Sequence, residues 1–353
     1  MTSENNSATA LPPFRFIGDL LHEHAAARPR SLALVQGERR VSWGELDALV
    51  DRIAASLQRD GVEPRHSIAI SGANSIEYAL LFLGGLRAGA AVAPLPTGAT
   101  REQLAGMVED CGAALLFADE TVPVLKVKAR RILMAPLPLT PALSPEGRGS
   151  DTLAGWLAAE GAKPQPVQPQ PDWPFNIIYS SGTTGTPKGI VQSHGMRWAH
   201  MGRAEAGGYG PESVALLATS LCSNTTLVCF FPAVSRGGAI VLTQGRFDPA
   251  QYLQLAQRER ATHTMLVPVQ YQRLMSHPDF GTYDLSSFVM KFCTSAPFGA
   301  ALKADILKRW PGGLTEYYGM TEGGGTCILA AHEFPQKLHT VGKPAEGHDI
   351  RLI

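Results

Sequence analysis

Along the N-terminal third of the chain, apolar positions switch repeatedly between a helical and an extended spacing. In "VSWGELDALVDRIAASLQRDG", Leu46, Leu49, Val50, Ile53 and Leu57 recur at intervals of three and four, so they share one face of a helix. Ser42 and Glu45 have the spacing of a capping box, and Gly61 supplies the stop. "SIAIS" (Ser67 to Ser71) reads as a short buried strand, followed by a helix from Ser75 to Arg87. "AAVAP", a helix from Arg101 to Glu109 and the strand "AALLFA" (Ala113 to Ala118) continue the alternation. Strands that alternate with helices predict an α/β fold around a parallel, doubly wound sheet.

From Leu133 the pattern stops. "LMAPLPLTPALSPEGRGSD" is rich in Pro, Gly and Ser, and predicts an exposed insertion over residues 133–150. "GAKPQPVQPQPDWP" (Gly161 to Pro174) reads as an extended linker. Together they suggest a first lobe over residues 1–165 and a second over 166–353. The second resumes with "FNIIYS" and "IVQSH" on either side of a glycine-rich turn. Asp248 and Pro249 read as N-cap and first-turn proline of a helix through Arg260. "THTMLVP" and "SFVMKFCTS" read as strands separated by a helix near Gln270 to Ser276. A helix from Gly299 to Trp310 leads into "LTEYYGMTEGGG".

Composition narrows the function classes. The chain has 353 residues, 44% hydrophobic and 18% charged, which suits a soluble globular protein of two or three domains. Lys+Arg 31 balances Asp+Glu 31, so the basic excess of a general nucleic-acid or anionic-membrane binder is absent. The longest apolar stretch, Ala79 to Pro96, is broken by Arg87, glycines and prolines, short of the ~20 apolar residues a membrane span needs. The N-terminus has no basic start before an apolar core, and the five cysteines form no CxxC pair. These features predict a cytoplasmic protein whose cysteines serve as small apolar residues.

The densest chemistry lies in "YSSGTTGTPKG", from Tyr179 to Gly189. Gly182, Gly185 and Gly189 are expected to turn through positive φ, exposing successive amides as an anion-binding nest. Ser180, Ser181, Thr183, Thr184 and Thr186 add hydroxyl donors, Pro187 stiffens the loop, and Lys188 adds a compact positive charge. Every one of these groups favours polyphosphate. The GxxxxGK[ST] pattern is nevertheless missing, since Lys188 lies between Pro187 and Gly189 and a strand follows.

"YSSGTTGTPKGI" resembles the signature loop of the adenylate-forming superfamily: acyl- and aryl-CoA synthetases, luciferases and peptide-synthetase adenylation domains. "YYGMTE" (Tyr317 to Glu322) resembles that family's Y-G-x-T-E motif, and "CTSAPFGA" its adenine-wall segment. "VSWGELDALVDRIAASL" and "TVGKPAEGHDIRLI" match other family segments in the right order. The resemblance implies two doubly wound α/β lobes with part of a small β-barrel. Relatives continue past the position of Ile353 into a ribose-binding segment, a hinge and a small mobile domain with a catalytic lysine, so the chain corresponds to their large N-terminal portion.

By this resemblance Ser181, Gly182, Thr183, Thr184, Gly185, Thr186 and Lys188 hold the β- and γ-phosphates of ATP, with Thr183 and Thr186 as the main hydroxyl donors. Ser295, Ala296 and Pro297 form one wall of the adenine site, and Glu316 stands where relatives carry an amide that reads the base. Tyr318 stacks on the adenine, with Tyr317, Gly319 and Met320 beside it. Thr321 donates to the α-phosphate and Glu322 helps to hold Mg²⁺. Thr183, Lys188, Thr321 and Glu322 thereby carry the chemistry: a small carboxylic acid attacks the α-phosphorus, and coenzyme A then takes the acyl group from the adenylate. Thr219 to Leu227 and Phe230 to Val234 are the expected tunnel for the acid, with Cys222, Ser223 and Asn224 where many relatives carry a histidine. His194 and His200 read as structural or surface residues. Transfer to a carrier protein and a non-catalytic nucleotide- or acyl-binding module are the alternatives. Oligomeric state stays open, a homodimer being one option.

Overall fold

A computed structural model of the chain describes residues 13–138, 151–180, 188–202, 204–323 and 325–351. It opens with α1 (Ile17–Ala27), a hairpin of β1 (Leu32–Gln36) and β2 (Arg39–Ser42), and α2 (Trp43–Arg59). The capping box is present: the Ser42 hydroxyl accepts from the Glu45 amide at 3.3 Å, and the Glu45 carboxylate accepts from the Ser42 amide at 2.8 Å. Leu46, Val50, Ile53 and Leu57 form the buried face. Strand and helix then alternate through β3 (Ser67–Ser71), α3 (Ile76–Arg87), β4 (Ala91–Leu95), α4 (Arg101–Asp110), β5 (Leu115–Ala118) and β6 (Arg130–Leu133), before the short α5 (Leu153–Trp156). Every residue of α3 is buried. Gly84 lets it approach α2, because a Cβ there would stand 2.4 Å from Ile53 Cγ2. Among the described residues no helix is long and apolar enough to cross a membrane.

The second half runs β7 (Pro174–Ser180), β8 (Lys188–Ser193), α6 (His194–Gly202), β9 (Val214–Leu217), α7 (Asn224–Ser235), β10 (Ala239–Leu242), α8 (Pro249–Arg258) and β11 (His263–Leu266). It continues through α9 (Pro268–Met275), β12 (Met290–Cys293), α10 (Ala300–Arg309), β13 (Gly313–Gly319), β14 (Thr326–Ala330) and β15 (Lys343–Pro344). Asp248 caps α8 as expected, its carboxylate accepting from the Gln251 amide at 2.9 Å.

The strands form two mainly parallel sheets, ordered β6-β5-β3-β4-β7-β8 and β15-β14-β13-β12-β11-β9-β10-β1-β2. This is the expected α/β class. The sheets, however, do not part at residues 165/166. Leu34 and Val35 of β1 pair in parallel with Ile240 and Val241 of β10, while β7 joins the first sheet with Asn176 opposite Val92. Linker composition reports where the chain is exposed; sheet membership is set by distant strands that satisfy one another's backbone groups. Among the described residues no closed barrel forms, and β14 and β15 extend the larger sheet antiparallel.

The expected exposed insertion needs a correction at its start. Met134 and Leu137 are 5% and 6% exposed and belong to the largest core cluster. The Leu137 amide donates to Glu77 at 2.8 Å, and that carboxylate also pairs with Arg39. Intervening prolines hide the apolar spacing of this segment in the sequence. Residues 139–150 lie outside the described residues. Cys229, Cys293 and Cys327 are buried thiols, in keeping with an apolar role.

Candidate active site

β7 and β8 run antiparallel, with Tyr179 opposite Gly189 and Ser180 opposite Lys188. Their pairing brings the two ends of the glycine-rich loop side by side. Ser181, Gly182, Thr183, Thr184, Gly185 and Thr186 themselves lie outside the described residues. Lys188 is exposed at the first position of β8. Gly189 departs from expectation, since it lies within the strand and not at positive φ. Space is the reason for glycine there: a Cβ would stand 3.0 Å from Ile177 Cγ2 and 3.2 Å from Asp110 Oδ2. That carboxylate accepts from the Tyr179 hydroxyl at 2.6 Å, and burial raises the pKa of the phenol.

β13 carries the second motif, and strand alternation sorts its side chains onto two faces. Glu316 is 4% exposed and forms an ion pair with Lys303 of α10. Lys303 Nζ also donates to the carbonyls of Leu338 and Thr340, at 2.9 and 3.0 Å. Burial raises the Glu316 pKa while Lys303 opposes the rise. The Glu316 carboxylate, at the position where relatives carry an amide that reads the base, is thus paired with a buried lysine. Tyr317 stacks on Phe292, with centroids 5.8 Å apart and planes 20° from parallel. Tyr318 is 63% exposed. Gly323, at φ 85, closes a turn by donating its amide to the Met320 carbonyl at 3.2 Å, and this turn presents Thr321 and Glu322.

Beside these turns lies a cavity of ≈ 800 Å³ at the C-terminal ends of β7, β12 and β13. Its wall includes Ser295, Tyr317, Gly319, Met320, Thr321 and Glu322, but not Lys188, Ala296, Pro297, Glu316 or Tyr318. Of the expected tunnel segment Thr219 to Leu227, Cys222, Ser223, Asn224 and Thr225 line it at the start of α7, whereas Leu221, Thr226 and Leu227 are buried away from it. Further along α7 the expectation fails. Phe230, Phe231, Ala233 and Val234 are at most 1% exposed and lie in the core, leaving Val228 and Pro232 on the wall. Helical spacing sends neighbouring residues to different faces. Ser295 holds φ 79, a left-handed conformation costing on the order of 1–3 kcal/mol, and its hydroxyl meets that of Thr225 at 2.6 Å.

His194 is structural as expected: it is packed against Phe14, Phe16 and Phe175, and burial lowers its pKa to about 4. His200, in contrast, stands on the cavity wall. So does Tyr209, which no motif signals; its ring lies parallel to Phe292 within 7°. Asn176, Gln192 and Arg197 also escape motif reading. They form a buried polar group beneath the site, from which Gln192 Nε2 donates to the Thr321 carbonyl at 2.7 Å. Only two amides and an arginine beside apolar neighbours hinted at them in the sequence.

Two mainly parallel sheets bring the end of β7 and the Thr321 turn to one cavity at their strands' C-terminal ends, the arrangement of a nucleotide-binding α/β domain. The AMP-binding enzyme family matches residues 21–353, and the chain belongs to that family. Among known proteins it is 30% identical to a feruloyl-CoA synthase of Amycolatopsis sp, over 93% of this chain and 64% of the relative. It is 28% identical to an indoleacetate–CoA ligase of Aromatoleum aromaticum, over 96% of this chain and 66% of the relative. The chain therefore spans about two thirds of the length of these relatives. Its fold is similar to the crystal structure of the N-terminal domain of FACL13 from Mycobacterium tuberculosis, with TM-score 0.79, 21% identity and coverage of 93% of this chain and 82% of that one.

Proposed function

We propose that the chain binds ATP and a monocarboxylic acid and joins them as an acyl-adenylate, the first half of an acid–thiol ligase reaction completed by coenzyme A in the cytoplasm. One observation supports this most: the end of β7, which leads into the phosphate-type loop, and the turn bearing Thr321 and Glu322 line the same cavity. A carboxylate oxygen of the acid attacks the α-phosphorus, and the bond to pyrophosphate breaks. The chain's part is to bind, orient and neutralise charge, with no covalent nucleophile.

In this reading the loop from Ser181 to Thr186 and the exposed Lys188 meet the β- and γ-phosphates. The Thr321 hydroxyl meets the α-phosphate. The open face of Tyr318 receives the adenine, flanked by Ser295, Ala296 and Pro297. Among the described residues no cluster of three His, Cys, Asp or Glu side chains is poised for a metal. A single carboxylate, Glu322, suits Mg²⁺, which keeps waters and substrate phosphate oxygens as its other ligands. When bound, the ion supplies charge neutralisation on the phosphates.

For the acid, Tyr209, Phe292 and Tyr317 offer nearly parallel rings, and the described wall carries no lysine, arginine or aspartate. That lining suits an uncharged acyl body, and the aryl acids named for the two relatives favour an aromatic one. The test is a thermal-shift titration with AMP and with non-hydrolysable aryl- and alkyl-adenylate mimics. A mimic at a hundredfold excess over its Kd should stabilise the fold by about 2.7 kcal/mol. The expected result is the largest shift with an aryl mimic and its loss in Thr321→Val. A melt that neither AMP nor any mimic moves would overturn the proposal.

A further inference from the structure

Between the β7–β8 hairpin and the Thr321 turn lies a buried polar group. Asn176 on β7 and Gln192 on β8 face each other across the hairpin and are 0% exposed. Arg197 on α6 is 1% exposed and lies over the Phe231 ring. Its Nε donates to Asn176 Oδ1 at 2.8 Å, and its Nη2 donates to Gln192 Oε1. Asn176 Nδ2 donates to the same Gln192 oxygen at 3.0 Å. Burying such groups costs stability unless their hydrogen bonds are met.

The donor count fixes the orientation of the group. A guanidinium has donors and no acceptor, so both amides must turn an oxygen toward it. Asn176 then has its NH₂ free to donate to Gln192. With two donors on its oxygen, Gln192 is left with its own NH₂ directed away from Arg197, and that group reaches the Thr321 carbonyl at 2.7 Å. The two ends of this bond are 129 residues apart in sequence. Besides the Gly323 amide, which closes the turn on the Met320 carbonyl, Gln192 gives the Thr321 turn its tie to the interior, and Met320 and Glu322 on either side are exposed.

We infer that Gln192, oriented by Arg197 and Asn176, is a positioning residue that pins the Thr321 main chain and so places its hydroxyl where a bound nucleotide's α-phosphate must lie. The inference rests on the adenylation reading above. It goes beyond that reading by assigning the geometry of the phosphate site to a buried residue that touches no substrate.

The decisive variant is Gln192→Glu. It preserves the oxygens that Arg197 and Asn176 address, and beside a guanidinium the carboxylate stays ionised. The donor to Thr321 is replaced by a carboxylate oxygen, which meets the carbonyl with no proton between them. Calorimetric titration of wild type and variant with AMP and with adenosine separates the possible roles, because adenosine lacks the phosphate. The expected result is a melting temperature at or above that of wild type, adenosine binding unchanged and AMP binding weakened about tenfold, the size of one lost hydrogen bond. Equal loss for both ligands, or loss for neither, would overturn the inference in favour of a purely structural role. Should the Glu variant melt early, Gln192→Leu gives the same reading, since Arg197 retains Asn176 and the AMP-over-adenosine ratio must still fall. A wild-type chain that binds neither ligand overturns the adenylation reading itself, a result distinct from a wild type that binds AMP and a variant that binds it equally well.

Discussion

Two buried arginines, one in each half of the chain, are held in opposite ways. Arg87 of α3 meets Asp47 and Asp51 of α2 at 2.6 and 2.5 Å and donates to the Gly18 carbonyl of α1 at 2.9 Å. Lys163 of the Pro-rich linker joins Asp51 at 2.6 Å, and His22 joins Asp47 at 3.0 Å. Opposite charges therefore staple three helices and the linker together. Arg197 has no carboxylate among its described partners; it is held by two amide oxygens and lies over an aromatic face, and burial lowers its pKa to about 9. A cation compensated by charge stabilises the scaffold. One compensated only by dipoles contributes less to stability and instead fixes the direction of its neighbours' hydrogen bonds.

The largest effect is expected at Arg87. Arg87→Ala leaves two carboxylates buried without their main counterion, and should cost about 3–5 kcal/mol in chemical denaturation. A loss below 1 kcal/mol would mean that the cluster is ornamental. Acid has the next largest effect. His194, on the site side of the molecule, is 2% exposed with its folded pKa lowered from 6.5 to about 4. Below pH 6.5 the unfolded chain takes up a proton that the folded chain refuses, so stability falls as pH drops from 6.5 toward about 4. The slope from this residue reaches about 1.4 kcal/mol per pH unit. His194→Phe, among its aromatic neighbours, should flatten that part of a stability-versus-pH curve, and an unchanged slope would assign acid sensitivity elsewhere. Smallest of the three is Arg197→Met, which removes a buried charge but orphans amide oxygens. These effects oppose each other, so the stability change should stay within about 2 kcal/mol. Its AMP affinity should nevertheless fall, and a loss as large as that of Arg87→Ala would erase the distinction between the two arginines.

Much of the scaffold was legible in the sequence because its signals are local. The α2 face, the Ser42–Glu45 box and the Asp248 cap each depend on residues three or four apart. The family to which the chain belongs was equally legible, since its motifs are short stretches of fixed residue order. What stayed hidden required knowledge of neighbours. Met134 and Leu137 looked like insertion until the core closed over them. Glu316 looked available until Lys303 was found against it.

By itself, then, the sequence determined most element types and the α/β class, through short-range spacing and side-chain type. Tertiary structure alone decided that β1 joins the sheet of the second half, that β7 and β8 join that of the first, and that Gln192 reaches Thr321. The physical reason is the same in each case. Strand pairing and buried hydrogen bonds between distant residues satisfy groups that any local pattern leaves open, so their partners are chosen only when the chain folds.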